Sequence, residues 1–249
     1  MVGKIRSSPN PAGRCRTTGR RAGITAFFLA ALLITVAPGG NGWADQIPIP
    51  SGSIMSVSIP GPSGAPTVFI WDHFDRADAP IGTAVLGGPW SVNTGSWTVQ
   101  SNFAGSSSVP NASATITVPG VLNGRVDVDL TFALLTASAG VELLDDGTNG
   151  LVVEYKKGLL LSEVRLYSRS GGTLTQLASA AVTTSLSAAL TVIVNANSVE
   201  VLWNSVSSFT YNLTPGLVGL VKDAGSNRFG MWANSDAQAR FNNFRFQSA

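Results

Sequence analysis

Cysteine is nearly absent: Cys15 is the only one, and it lies in a basic stretch near the N-terminus. Beyond it the chain has no thiol for a disulfide, a thiolate metal site or a cysteine nucleophile, so a domain there stands on its apolar core. Because Cys15 precedes the apolar run at 24–36, it does not match a lipoprotein attachment site. Histidine is as scarce. His73 alone supports neither a zinc site built on paired histidines nor a Ser–His–Asp triad. Charge is sparse and unevenly placed. Lys4, Arg6, Arg14, Arg16, Arg20 and Arg21 all precede residue 22, while every acidic residue follows residue 44. Removing those six from the 16 Lys and Arg leaves ten against 14 Asp and Glu, so the formal +2 becomes −4. A mildly acidic body lacks the basic surface that phosphate binding needs, which argues against a nucleic-acid partner.

The apolar run Ile24–Val36 stops at Pro38-Gly39-Gly40, short of the roughly 20 residues a membrane-spanning helix requires. A basic leader, a short apolar run and small residues at Gly42 and Ala44 predict a secretory signal peptide over 1–44, cleaved after Ala44. The mature chain is then secreted and not membrane-bound. Arg20-Arg21 raises twin-arginine export, and the route stays open. Residues 45–67 carry Pro48, Pro50, Pro60, Pro62 and Pro66 among Gly and Ser, a composition expected of an extended linker. Ile47, Ile49, Ile54, Val57 and Ile59 keep the alternative of an arm packed on the domain.

From Val68 the pattern has period two. In Arg125–Leu134, Val126, Val128, Leu130, Phe132 and Leu134 alternate with Arg125, Asp127, Asp129 and Thr131, which predicts a strand with one buried face. Ala114–Val118, Leu190–Val194, Val199–Trp203 and Phe209–Leu213 repeat the pattern. Turn pairs separate them at Asp146-Gly147, Asn149-Gly150, Lys157-Gly158, Gly171-Gly172, Asn195–Asn197 and Pro215-Gly216. That rhythm predicts an all-β, two-sheet antiparallel sandwich over 68–249. A helix over Leu177–Leu190 is the competing reading, disfavoured by its Ser and Thr content.

Three groups of residues carry possible chemistry. Asp72, Asp75 and Asp78 are candidate ligands for a structural calcium, which takes oxygen donors; the alternative is that Arg76 pairs with one of them and pins a turn. A hairpin at Lys157-Gly158 would set Glu154 opposite Leu161, with Glu163 its diagonal neighbour. The core side would hold Leu151, Val153, Tyr155, Leu160, Val164 and Leu166. The other side becomes a wet, polar patch of Glu142, Glu154, Lys156, Glu163, Arg165 and Tyr167. Glu154 and Glu163 are candidate catalytic carboxylates for glycoside hydrolysis; the plainer reading is a solvated charged face that discourages aggregation. Trp203 shares parity with Val199 and Val201 and belongs inside. Trp232, out of phase with Phe229 and Met231, is the best candidate for an exposed, sugar-stacking aromatic.

Asp72-x-Phe74-x-Arg76-Ala77-Asp78, Ile81-Gly82, Trp90, Gly95-Ser96-Trp97 and the closing Phe241–Phe246 segment resemble the concanavalin A-like lectin/glucanase superfamily, in particular its laminin-G-like jelly rolls. The resemblance covers about residues 68–248. It implies two antiparallel sheets, one of them concave, with the first and last strands adjacent. Asn242 stands where such domains often carry Asp. Hydrolases of the superfamily usually show Glu-x-Asp-x-x-Glu on one strand, and this chain has none. The resemblance therefore implies a secreted, non-enzymatic domain that binds glycan or another cell-surface component, with Glu142, Glu154, Glu163, Arg165, Tyr167 and Trp232 as ligand-binding candidates. The alternatives are a glycoside hydrolase, and a structural or adhesion module of a cell surface or phage particle.

Overall fold

The period-two alternation becomes strands almost throughout, in a computed structural model that describes residues 66–248 apart from 108, 109, 134, 135, 224, 226 and 235–237. The expected signal peptide (1–44) and nearly all of the expected linker (45–67) lie outside the described residues. In chain order the strands begin β1 (Val68–Asp72), β2 (Ala79–Pro80), β3 (Ser91–Thr94), β4 (Trp97–Gln100), β5 (Phe103–Ser106), β6 (Ala112–Thr117), β7 (Gly124–Thr131) and β8 (Ala137–Asp145). They continue β9 (Gly150–Lys157), β10 (Ser162–Ser170), β11 (Thr173–Val182), β12 (Ser187–Val194), β13 (Ser198–Trp203) and β14 (Val206–Asn212). Then come helix α1 (Pro215–Val221), β15 (Arg228–Ala233) and β16 (Arg240–Gln247).

Two antiparallel sheets result. One runs β14-β13-β12-β7-β16-β5-β4-β2, with β1 also pairing with β16; the other runs β11-β10-β9-β8-β15-β6-β3. The alternation of β7 is exact in burial, Val126, Val128 and Leu130 inward and their neighbours half-exposed. Aromatic pairs join the sheets across the core. Tyr155 of β9 stacks on Trp203 of β13 at 4.1 Å between centroids, and Phe229 of β15 on Phe246 of β16 at 3.9 Å. Buried aromatics of this size supply much of the apolar area that holds a disulfide-free sandwich together.

The opening motif is a structural clamp. Asp72 is fully buried at the end of β1, where its carboxylate accepts from Phe74 N (2.9 Å), both Arg76 Nη atoms (2.7 and 3.1 Å) and Trp90 Nε1 (2.8 Å). Arg76 donates onward to the Ile81 carbonyl at 2.5 Å. Phe74 packs inward against Trp90 at a left-handed φ of 55°, a conformation costing a non-glycine residue about 1–2 kcal/mol. The bonds around Asp72 hold it there.

Residues 177–182 and 187–190 belong to β11 and β12, so the disfavoured helix over Leu177–Leu190 does not form. Three local expectations are corrected. Pro215-Gly216 opens α1 instead of turning a hairpin, because the Thr214 side chain caps it by accepting from Leu217 N and Pro215 suits the first helical turn. The β9–β10 hairpin does not reverse at Lys157-Gly158. Its tip runs through Leu161, so Glu154 faces Arg165 rather than Leu161. Leu160, expected in the core, is therefore 92% exposed at the tip. Ser162 Oγ accepts from Gly158 N at 3.4 Å and closes the wider loop.

Candidate functional site on the outer face of the seven-stranded sheet

The register error in the hairpin is four residues, an even number, so the side chains that remain in the paired strands keep their expected faces, and Leu160 at the tip does not. Glu154, Glu163, Arg165 and Tyr167 do share the outer face of β9 and β10. Glu163 stays the diagonal neighbour of Glu154, from the side opposite to that expected. The next strands add Ser138, Gly140 and Glu142 from β8, Trp232 from β15, Ser113 and Thr115 from β6, and Asn93 from β3.

Two glycines shape the centre of this face. Across β8 and β15, Trp232 lies opposite Gly140, and Glu142 lies opposite Gly230. Each large side chain is thus set against a residue with none. Neither glycine tolerates replacement: a Cβ at Gly140 would come within 2.0 Å of the Val153 carbonyl, and one at Gly230 within 2.0 Å of the Ala114 carbonyl. The strands here approach too closely for any other residue.

A bulge completes the arrangement. Glu142 and Asp145 are three apart and would fall on opposite faces of a regular strand. Leu144 takes a left-handed φ of 52°, and the pairing slips between Gly230↔Glu142 and Arg228↔Asp145. Leu143 and Leu144 both enter the core, and Asp145 returns to the outer side with Glu142. Bulges re-aim side chains in this way and concentrate near functional sites. Arg169 of β10 forms ion pairs with both carboxylates. Arg228 approaches Asp145 at 3.6 Å, and Gly147 N donates to Asp145 at 2.6 Å. Ser113 donates to Glu142, and Asn93 bridges Ser113 and Thr115 at 3.2 and 3.0 Å.

Beside this cluster, Glu154 accepts from Ser138 Oγ (2.6 Å), Tyr167 OH (3.2 Å) and Asn234 Nδ2 (3.3 Å). Glu163 pairs with Arg165 at 2.7 Å. Burial pushes the Glu142 carboxyl up from its ordinary 4.5 to about 7, with Asp145 adding to the rise and Arg169, Ser113 and Arg228 opposing it. Burial likewise raises the Tyr167 hydroxyl.

Three buried polar atoms of this face lack a hydrogen bond: Trp232 Nε1, Arg169 Nε and Glu142 Oε1. The Glu142 oxygen does contact an Arg169 Nη as an ion pair, but outside hydrogen-bond geometry. An unpaired buried polar group costs about 1–3 kcal/mol. Trp232 Nε1 and Arg169 Nε are the donors of this face left without an acceptor, and both atoms are buried.

The wet patch expected from the sequence is in part a buried floor. Glu142 is 0%, Trp232 2% and Glu154 3% exposed, because Arg169, Ser113, Ser138, Tyr167 and Asn234 close over the carboxylates. Among the tryptophans of the described residues the exposed one is Trp71, at 44%, and not Trp232. Both oxygens of Asp72 are occupied by protein donors, Asp78 accepts from Ser101 N, and Asp75 is exposed. Among the described residues no group of three or more His, Cys, Asp and Glu is placed to hold a metal. A depression of about 170 Å³ lined by Thr98, Gln100 and Arg240 lies on the other sheet and contains no carboxylate.

Sequence reasoning missed Asp145 and Arg169. The Leu143-Leu144 doublet, which breaks the period-two pattern directly after Glu142, was the available sign of a bulge.

No family model and no curated protein matches the sequence. Solved structures do match the fold. The carbohydrate-binding module CBM66 from Bacillus subtilis aligns with a TM-score of 0.53 at 13% identity, over 64% of this chain and 95% of its own. The chain folds as a two-sheet antiparallel jelly-roll sandwich. The glycoside hydrolase family 43 protein BlXynB from Bacillus licheniformis aligns with a TM-score of 0.53 at 15% identity, over 72% of this chain but only 39% of the enzyme. The CBM2 module of an evolved Dit protein from Lactobacillus casei BL23 phage J-1 gives 0.50 at 9% identity, over 72% of this chain and 94% of that one. At these identities the likeness is one of fold.

Proposed function

We propose that the chain is an exported, non-enzymatic sandwich module that binds glycan on the outer face of its seven-stranded sheet. The observation that carries this reading is the cluster of partly exposed Glu163, Arg165 and Tyr167 on that face, beside the buried Glu154 to which Tyr167 donates. A sugar offers hydroxyls that both donate and accept, which carboxylate, guanidinium and phenol groups can meet. The fold shared with a carbohydrate-binding module supports the same reading. The basic leader and short apolar run support export.

Hydrolysis has less support. The carboxylate of Glu154 is engaged by three side chains of the protein and Glu163 by Arg165, and neither is placed as a free acid or nucleophile. A glycan array or polysaccharide pull-down tests the proposal: retention of the wild type and its loss in Arg165→Ala are expected, and no enrichment on any glycan overturns it. Turnover of a polysaccharide panel that disappears in E154Q and E163Q would replace binding by hydrolysis. Sequencing the N-terminus of protein recovered from the medium should find Asp45 first.

A further inference from the structure

We infer that the end of the sandwich carrying the β9–β10 hairpin tip is a lipid-docking surface, in which Leu159, Leu160 and Leu161 enter the outer layer of a bilayer and Lys156 meets anionic headgroups. The inference is independent of the glycan-binding reading, and it departs from the expectation that the mature chain is not membrane-bound.

Strand pairing brings four loops to this end. β9 ends where Lys157 lies opposite Ala137 at the start of β8, and β10 starts where Ser162 lies opposite Val182 at the end of β11. β12 starts with Ser187 opposite Thr131 at the end of β7, and Trp203 and Val206 face each other across the β13–β14 turn. Five of the nine exposed large hydrophobic side chains among the described residues lie in these loops or at their edges: Leu159 at 70%, Leu160 at 92%, Leu161 at 75%, Leu186 at 56% and Val206 at 69%. A single exposed leucine is ordinary, but an apolar group gathered at one end marks a contact surface.

The leucines are presented on a braced support. A Cβ at Gly158 would come within 2.2 Å of the Leu161 carbonyl oxygen, so the tip closes tightly on itself. Ser162 Oγ and Thr184 Oγ1 share a hydrogen bond of 2.8 Å, and Ser185 N donates to Tyr155 OH at 3.1 Å, which ties the hairpin to the β11–β12 loop. Trp203 Nε1 donates to the Thr183 carbonyl at 3.2 Å and ties that loop to β13. Preorganisation of this kind lowers the entropy lost when the leucines are buried.

Composition selects lipid over protein as the occupant. Protein interfaces are enriched in aromatic residues, Met and Arg and depleted in Lys. Segments 131–138, 156–162, 182–190 and 202–207 contain no Met, Arg, Asp or Glu, and their aromatics, Phe132 and Trp203, are buried in the core. What they offer besides leucine is Ser, Thr and two lysines, of which Lys156 is exposed and Lys157 buried. Glu163, just past the hairpin tip, is held by Arg165 at 2.7 Å. Leucines beside lysine and hydroxyl groups match acyl chains lying under phosphate headgroups.

The apolar run at 24–36 is itself a lipid-binding sequence, so the experiment on the full chain reads position by position. Cys15→Ser chains carrying either Leu160→Cys or, at the far end of β11, Thr173→Cys are labelled with a polarity-sensitive fluorophore. They are then mixed with vesicles of phosphatidylcholine and phosphatidylglycerol, or of phosphatidylcholine alone. A blue shift at 160 and none at 173 is expected, with binding several-fold tighter when phosphatidylglycerol is present. L159S/L161S in the 160-labelled chain should weaken that binding by at least about tenfold, and K156E should weaken it several-fold. Both variants alter exposed side chains and should melt as the wild type does. A shift at neither position, a shift at both, or unchanged binding in L159S/L161S overturns the inference. A dimer that forms without vesicles and is lost in L159S/L161S, with no shift on lipid, overturns it in favour of a second copy of the chain. None of these outcomes bears on glycan binding, which the array decides separately.

Discussion

Glu142 concentrates the energetics of the outer face in one carboxyl. Its value is raised by burial from 4.5 to about 7, so the folded state holds its proton more tightly than the unfolded state does. The stabilisation this provides is complete below about pH 4.5 and is lost as pH rises toward 7. The shift corresponds to at most about 3 kcal/mol. Urea unfolding at a series of pH values should show stability falling across this window in the wild type, and a flatter profile in Glu142→Gln. Asp72 is the opposite case, a buried carboxylate saturated by donors. Asp72→Ala leaves Trp90 Nε1 without its acceptor and the Arg76 guanidinium with the Ile81 carbonyl but no carboxylate. Because Arg76 is partly exposed, the expected loss is about 2–4 kcal/mol rather than the full cost of a broken buried pair. Chemical denaturation measures it, and calcium should restore nothing.

At the scale of elements, β8 and β15 determine the site. Gly140 lies hard against Val153 of β9 and Gly230 against Ala114 of β6, each opposite a large side chain of the facing strand, and the bulge at Leu144 turns Asp145 toward Arg169. Gly140→Ala and Gly230→Ala each drive a methyl into a neighbouring carbonyl. Each should cost more than about 2 kcal/mol, by overpacking and by separation of the strands. Thermal melts of the two variants would show it, and a melting point unchanged from the wild type would contradict the close approach. Much of this was legible beforehand. Alternation placed Glu154, Glu163, Arg165 and Tyr167 on one face, and even a register wrong by four preserved that result. Asp145 and Arg169 were not legible, because they meet only through a bulge and across the intervening strand β9. Nor was the burial of Trp232, since parity gives a side chain its face and says nothing of what lies over that face.

For the molecule as a whole, the strand that closes the chain sits at the centre of its sheet. β16 pairs with β1, β5 and β7, and its Phe241, Phe244 and Phe246 contact Trp97, Trp90 and Phe229 in the core. Deleting residues 240–249 removes an interior strand and three buried aromatics together. The truncated chain should fail to fold, with the loss of cooperative melting and of protease resistance as the measurement. A cooperative transition in that truncation would mean that β16 only decorates the sheet. Composition and periodicity by themselves determined an all-β sandwich without disulfides and the faces of its strands, because these follow from local alternation; that Arg76 pairs with Asp72 in particular was decided by the structure. The tertiary structure alone decided that Glu142 and Trp232 form a buried floor, that Arg169 neutralises two carboxylates, and that Trp232 Nε1 and Arg169 Nε have no acceptor there. Those facts arise where strands far apart in sequence are brought within hydrogen-bonding distance.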